Sequence, residues 1–212
     1  GQYKEAKAQL ALMGRAQALL AAGRPARVLD VAPEERQMFR ELQLLSAKPV
    51  LYVANVDEAS AATGNDLSAR VAAYAQERGA DSVVISAAIE AELAQLPDAD
   101  KKEYLASLGL DEPGLGRVIR AGYRLLDLIT FLTVGPKESH AWTVAAGAKA
   151  PQAAGAIHTD FEKGFIRAET IAYADFVACG GEQGAKEAGK MRLEGAEYVV
   201  ADGDILHFRF NL

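Results

Sequence analysis

Cysteine is almost absent from this sequence of 212 residues, which contains only Cys179. No disulfide can form within the chain, so a reducing compartment, the cytoplasm, is its expected location. The three histidines lie far apart in the sequence and lack the spaced Cys, Asp or Glu ligands of a zinc motif. The sequence therefore predicts no metal site and excludes a disulfide-stabilised scaffold.

Long apolar runs are also missing from the chain. No stretch of 18 apolar residues occurs, and Lys4, Lys7 and Arg15 interrupt the region where a secretory signal has its apolar core. Acidic residues outnumber basic residues by 29 to 23, which gives a net charge of −6. This balance disfavours a surface coated with nucleic-acid-binding charge. We therefore expect no membrane partner, and any contact with RNA must be local.

Two helices are predicted before the first strand. The segment 2–22 contains no proline, and small or apolar residues recur along one face, a pattern typical of antiparallel helical pairs. Pro33 starts a second helix that we expect to end near Ser46. Because the chain begins at Gly1 in helix-forming sequence, we expect further polypeptide before it. The predicted seam of the first helix consists of Ala6, Leu10, Met13, Gln17 and Leu20.

A strand, a helix and a second strand then follow one another. The apolar runs 50–54 and 82–85 are short and rich in β-forming residues, as in parallel strands that are covered on both faces. Thr63 or Asn65 can cap the helix between them. The alternation predicts a doubly wound parallel sheet of the α/β class, in which ligands bind beyond the carboxyl ends of the strands. The residues that follow the two strand ends are 55–58 and 86–88.

The character of the sequence changes after Leu126, where strands begin to dominate. We interpret this last part as a separate α+β module. The turn at 202–204 predicts a hairpin between its last two strands. The predicted strands are 129–134, 140–144, 165–173, 198–200 and 205–210. The predicted domains are 1–47, 48–126 and 127–212.

The first strand end has the layout of a base-reading loop. Asn55 ends the strand, Val56 follows, and Glu58 places a carboxylate three residues after Asn55. In P-loop GTPases the equivalent loop is Asn-Lys-x-Asp, whose Asp accepts hydrogen bonds from guanine N1–H and the 2-amino group. A Glu moves the acceptor by about one C–C bond, so selectivity for guanine should be weakened. Asn55 either holds the loop or contacts the 6-amino group of adenine.

The second strand end carries Ser86 and Ala87, which match the Ser-Ala loop that closes over the base in the same class of proteins. Ser86 taken alone is equally typical of a plain helix N-cap. The two loops together favour a nucleotide-base site more than either loop does alone.

A catalytic nucleoside triphosphatase also needs the segment Gly-x-x-x-x-Gly-Lys-[Ser/Thr], which cradles the phosphates and holds Mg²⁺. The segment 184–190 is similar, but Met191 replaces the metal-binding hydroxyl and no buried strand precedes it. We interpret Gly189 as a helix cap. The sequence therefore predicts no catalytic residue in this chain, and the ligands of phosphate and Mg²⁺ are expected upstream of Gly1.

Arg117, Arg120 and Arg124 fall on one face of a predicted helix. Such a face is either solvated or a possible contact for RNA phosphates.

Four runs of sequence carry a resemblance to a known family. They are KPVLYVANVDE (48–58), VISA (84–87), LITFLTVGPKE (128–138) and APQAAGAIHTDFEKGFIRAE (150–169). On these residues the chain resembles the C-terminal portion of the Obg-like ATPase (YchF) family.

The resemblance implies the end of a helical arm with its return helix, the last third of a P-loop G domain, and a TGS domain of β-grasp fold. It also implies a parent protein that binds and hydrolyses ATP with Mg²⁺, in preference to GTP, and associates with the ribosome, at the large subunit. Asn55 and Glu58 would match the family motif Asn-x-x-Glu, Asn55 and Val56 would contact the adenine, and Ser86 and Ala87 would line its pocket. Two other functions stay open: a non-catalytic adaptor that binds RNA or the ribosome, and a GTPase.

Overall fold

The computed structural model describes residues 2–136 and 138–211. Lys137, which belongs to the third run above, lies outside the described residues. The chain divides between Leu125 and Leu126 into two compact units. None of the described helices is both long and apolar enough to cross a membrane.

Within the part of the chain that is described, the N-terminal unit contains both helices and parallel strands. Its helices are α1 (Gln2–Ala21), α2 (Arg36–Glu41), α3 (Asp66–Glu77), α4 (Ala87–Leu93), α5 (Asp98–Ser107) and α6 (Gly114–Leu125). Its strands are β1 (Leu51–Asn55) and β2 (Asp81–Ile85).

Helix α1 forms as predicted, but it buries a different face from the predicted seam. Leu10 is 70% exposed and Met13 is 48% exposed, whereas Leu12 and Ala16, one turn apart, are buried. The turn 26–28 also contacts this helix. The predicted seam is therefore largely exposed within the described residues, and its packing in a helical pair stays a prediction.

The second predicted helix is shorter than expected. Pro33 starts a 3-10 turn, and Arg36–Glu41 then forms α2, but the chain leaves the helix well before Ser46. Gln43 adopts a left-handed backbone with φ of 48°, which breaks the helical hydrogen bonding. The start of this segment is tied to α1 by an ion pair of 2.6 Å between Arg15 and Glu35.

Strands β1 and β2 pair in parallel, with Asn55 opposite Ile85. Helix α3 crosses between them and packs on both. It begins at a capping box in which the side chain of Asn65 accepts from Ser68 N, and Ser68 Oγ accepts from Asn65 N. Val53 is 46% exposed, so one face of β1 is open within the described residues, and its cover on both faces stays a prediction.

A small core holds the segment that follows β1. Ala61, at the end of that segment, is 2% exposed and packs with buried side chains of α4 and α5. Helix α6 begins beside the same region, because Gly114 N donates to Glu90 Oε1 at 2.6 Å. The loop after β1 is thus anchored by the helices that follow β2. The buried members of this core are Ala61, Ile89, Leu93, Leu105 and Leu110.

The C-terminal unit is built on a mixed sheet with strand order β4-β3-β7-β5-β6. Strands β3 and β7 are parallel, and the other pairs are antiparallel. The strands are β3 (Leu128–Val134), β4 (Ser139–Ala145), β5 (Phe165–Ala172), β6 (Arg192–Glu194) and β7 (Asp204–Phe210). The helices are α7 (Ala150–Ile157), α8 (Thr159–Lys163), α9 (Tyr173–Ala178) and α10 (Glu182–Glu187).

Each face of this sheet has its own core. Phe131, Leu206 and Phe208 pack with the alanines of α7 on one face. On the other face, Ile171 and Ile205 pack with Ala185 of α10. Side chains alternate between the two faces along β5 and β7, as the pleat of a strand requires. This alternation decides which polar residues lie beside α10.

The predicted strand 198–200 and its hairpin do not form. Val199 makes only an isolated bridge with Lys149, and β7 pairs with β5 and β3 instead. Asp202 and Gly203 bind β3, since Thr130 N donates to Asp202 Oδ1 at 2.8 Å and Gly203 N donates to Thr130 O at 2.8 Å. The turn therefore docks on a distant strand, which local sequence does not reveal. Strand β6 was not predicted.

Candidate functional site

The two strand-end loops of the N-terminal unit lie side by side. Parallel pairing brings the carboxyl ends of β1 and β2 to the same edge, and Val56 N donates to Ile85 O at 2.9 Å just beyond the last paired residues. The side chain of Asn55 then reaches across the gap, where its Oδ1 accepts from Ala87 N at 2.9 Å. The loops predicted from sequence are thus joined directly.

This bond fixes the role of one atom of Asn55. Its side-chain oxygen is occupied by Ala87 N–H, so it holds the second loop and does not face a ligand amino group. The side chain is exposed and its amide nitrogen has no partner among the described residues, so that nitrogen is available as a hydrogen-bond donor. Of the two roles left open by the sequence, the structure favours holding the loop.

The turn after Asn55 is fixed by Asp57. Asp57 Oδ1 accepts from Ser60 N at 2.9 Å and caps a 3-10 turn over Glu58–Ser60. Hydrogen bonds from the Ser60 side chain, then from its backbone, hold the pKa of Asp57 below its usual value. Glu58 is exposed on this turn, and Val56 is half-buried. Both carboxylates are exposed, but Asp57 accepts the bond that caps the turn, so Glu58 is the better placed of the two for recognition.

Tyr104 of α5 lies close to the same turn. Its hydroxyl donates a short hydrogen bond to Glu92, which raises the pKa of Tyr104 to about 12, and burial and the nearby charges of Glu92 and Glu58 add to the shift. Glu58 and Glu92 thus both place negative charge near Tyr104, and negative charge attracts a hydrogen-bond donor and repels phosphate.

Ser86 occupies the N-cap position of α4, but its side chain does not cap the helix. The residue is 2% exposed, and its Oγ has no hydrogen-bond partner among the described residues. A buried hydroxyl without a partner costs free energy, commonly about 1–3 kcal/mol. Ser86 therefore has the backbone position of a helix N-cap, but its hydroxyl makes no capping hydrogen bond.

The three arginines of α6 have different surroundings. Arg120 forms an ion pair with Glu112, and Arg117 is half-buried with a buried Nε that has no partner among the described residues. Arg124 is exposed in the last turn of the helix. The spacing of the three residues is as predicted, but they do not form a uniform row of free guanidinium groups.

The segment 184–190 does not have the form of a phosphate-binding loop. Its first half belongs to α10, and Gly189 ends the turn with φ of 69°, as the sequence predicted for a cap. Lys190 makes an ion pair of 3.3 Å with Asp175. These residues therefore do not fit phosphate or Mg²⁺.

A second cluster, in the C-terminal unit, was not predicted from sequence. Glu169 of β5, Glu182 of α10 and His207 of β7 each place a potential metal-ligand atom within 4.8 Å of the others. The only signal that could have revealed it is the strand register, which sets Glu169 opposite His207.

Comparison with known proteins identifies the family. Residues 128–211 match the family model YchF-GTPase_C, described as "Protein of unknown function (DUF933)". The chain is 50% identical over 212 residues to the ribosome-binding ATPase YchF of Escherichia coli O157:H7, and 52% identical over 212 residues to that of Haemophilus influenzae. It is 47% identical over 211 residues to the Bacillus subtilis protein of the same name.

Each of these matches covers nearly all of this chain, but the chain spans only 58% of the length of these relatives. The solved structure of the Schizosaccharomyces pombe YchF GTPase covers 97% of this chain with a TM-score of 0.85 at 34% identity, and the match extends over 55% of that structure. The mixed α/β architecture, with its helices and mixed sheet, agrees with that structure. The chain therefore belongs to the YchF family and corresponds to the C-terminal part of its members.

Proposed function

We propose that this chain supplies the base-recognition loops and the C-terminal module of a P-loop ATPase that acts on the ribosome. In this proposal, 48–126 is the last third of the G domain and 127–212 is a TGS domain of β-grasp fold. The observation that carries the proposal is the bond between Asn55 and Ala87, which joins two strand-end loops at the edge where open α/β sheets bind ligands.

Asn55 acts on the purine through its amide nitrogen. Because its oxygen is occupied, the side chain can donate to a ring nitrogen acceptor but cannot accept from the 6-amino group of adenine. Ring nitrogen acceptors are common to adenine and guanine. Asn55 therefore positions a purine without choosing between the two bases.

Discrimination then falls to Glu58. A carboxylate accepts hydrogen bonds only, and the longer side chain of Glu no longer places its oxygens where an Asp would meet guanine N1–H and the 2-amino group. Val56, Ser86 and Ala87 complete the lining of the base site. The Ser86 hydroxyl, which has no hydrogen-bond partner among the described residues, belongs to the second loop. The names of the relatives include both ATPase and GTPase, so the preferred base has to be measured.

Phosphate binding and Mg²⁺ belong to the rest of the parent protein. When bound, Mg²⁺ neutralises charge that develops on the transferred phosphoryl group. The residues of this chain bind and orient the base, and we expect the fragment alone to be inactive. The parent would work in the cytoplasm with the ribosome, and contact with RNA and with the large subunit is part of the proposal.

Isothermal titration of a polypeptide of the full length of the relatives, with ATP and with GTP in the presence of Mg²⁺, tests this proposal. We expect saturable binding of ATP, weaker binding of GTP, and release of phosphate from ATP. Tighter binding of GTP would make the parent a GTPase. No binding of either nucleotide, together with retained sedimentation with ribosomes, would support the adaptor function instead.

A further inference from the structure

The sheet of the C-terminal unit brings three potential metal ligands to one place. Glu169 and His207 are direct cross-strand partners, so their side chains lie on the same face of the sheet. Helix α10 packs on that face through Ala185, and its first turn carries Glu182. The candidate ligand atoms of these three residues all lie within 4.8 Å of one another.

The backbone at these positions is fixed by buried neighbours. Glu169 lies between Ala168 and Thr170, which are both 0% exposed, and His207 lies between Leu206 and Phe208, which are 1% and 7% exposed. The three side chains are thus presented by packed elements. Sites on such elements hold their geometry better than sites on loops.

The separation of the ligand atoms is compatible with a small ion. Zinc bonds of about 2.0–2.1 Å in a tetrahedral arrangement set ligand atoms about 3.3 Å apart. Two of the three side chains, Glu182 and His207, are exposed, so a change of their side-chain rotamers can bring the ligand atoms closer together. No movement of the sheet is needed.

Arg209 orients the first of these ligands. Its Nε and Nη2 donate to the two oxygens of Glu169 at 3.3 Å and 3.0 Å, and Glu169 has a side chain that is only 16% exposed. This two-point pairing fixes the orientation of the Glu169 carboxylate. Two oxygens offer about four lone-pair sites, which leaves room for an ion beside the guanidinium group.

Donor type selects the class of ion. Mg²⁺ and Ca²⁺ prefer oxygen ligands only, whereas imidazole nitrogen suits Zn²⁺ and its transition-metal neighbours. The mixed donor set therefore favours a divalent transition metal.

We propose that Glu169, Glu182 and His207 form a three-ligand site for a divalent transition-metal ion of the zinc type, which joins α10 to strands β5 and β7. Three protein ligands leave one coordination position for water or for a ligand atom of a partner. The site is separate from the base loops and does not depend on the proposed nucleotide function.

Titration of the tag-free, metal-free 212-residue chain with zinc chloride tests the site directly. We expect one ion to bind per chain, and His207→Ala or Glu182→Gln to weaken this binding by at least about tenfold, since even outer partners of a metal site contribute that much. The matched controls are His140→Ala, at an exposed histidine on β4, and Glu187→Gln, at the other end of α10. Both controls should retain the affinity of the parent chain.

A measurement on the unaltered chain guards against variants that fail to fold. In NMR spectra of the histidine side chains, the imidazole resonances of His207 should shift first as zinc is added, before those of His140 and His158. The proposal is overturned if no saturable binding occurs, if His140 or His158 responds first, or if His140→Ala weakens binding as much as His207→Ala does.

Discussion

Asn55 and Ala87 are 32 residues apart in sequence, yet the side-chain oxygen of Asn55 accepts the backbone N–H of Ala87 at 2.9 Å. This bond crosses between the two loops at the carboxyl ends of β1 and β2. Together with the bond from Val56 N to Ile85 O, it holds the two loops in a fixed relative position. The proposed base site depends on that position.

Asn55→Ala should therefore loosen both loops. We expect a loss of about 1 kcal/mol in the free energy of unfolding of the 212-residue chain, as for a typical hydrogen bond, measured by urea denaturation. Asn55→Asp is the matched variant, because it keeps an acceptor for Ala87 N–H and removes the amide donor. It should retain stability but weaken the binding of ATP and GTP equally in the full-length parent. If Asn55→Asp lost as much unfolding free energy as Asn55→Ala, the role of the Asn55 oxygen in holding the loops would be contradicted.

Asn65 caps α3 through its bonds with Ser68. We expect Asn65→Ala to lower the free energy of unfolding by about 1 kcal/mol, and Asn65→Gly to lower it by only a few tenths, because glycine tolerates the cap position. Urea denaturation followed by circular dichroism measures both losses. No measurable loss in either variant would show that the side-chain cap contributes nothing.

Tyr198 makes the stability of the C-terminal unit depend on pH in the alkaline range. Its hydroxyl donates to the buried Asp204 at 2.7 Å, and burial followed by this bond raises the pKa of Tyr198 to about 12, from 10.0. The unfolded state loses the proton first, so the stabilisation is complete below pH 10 and is lost as the pH rises from 10 to 12. Tyr198→Phe should flatten the fall in unfolding free energy over that range. Tyr173→Phe, at an exposed tyrosine of the same unit, is the control, and an equal fall in Tyr198→Phe and the parent chain would refute the coupling.

Arg124 is the arginine of α6 most available to RNA, since Arg120 is paired with Glu112 and Arg117 is half-buried. In the full-length parent, Arg124→Glu should weaken sedimentation with ribosomes and reduce its dependence on salt, because one phosphate contact is lost. Arg36→Glu, at an exposed arginine of α2, should leave sedimentation unchanged. An unchanged pellet for Arg124→Glu would exclude this face from RNA contact.

Local signals in the sequence predicted part of this structure well. The cap at Asn65, the parallel strands and the glycine that ends α10 all depend on residues within a few positions of one another. They also predicted that two loops would meet, because parallel strands end at the same edge. Which atom of Asn55 would be used depends on Ala87, which lies beyond any local pattern.

Long-range pairing accounts for the predictions that were wrong. The residues at 198–200 have the composition of a strand, but the turn that follows them binds Thr130 and takes β7 to distant partners. The cluster of Glu169, Glu182 and His207 exists only once β5, β7 and α10 are assembled. None of these contacts can be inferred from the spacing of residues in the sequence.

The most direct test of the base assignment is the ratio of affinities for ATP and GTP in Glu58→Asp, measured by isothermal titration of the full-length parent. Glu77→Asp, at the opposite end of α3 from the loop, is the control. We predict that the parent and the control prefer ATP, and that Glu58→Asp shifts the ratio towards GTP by about tenfold or more, the size of one charged hydrogen bond. A parent that prefers GTP, or a ratio that Glu58→Asp leaves unchanged, would contradict the account.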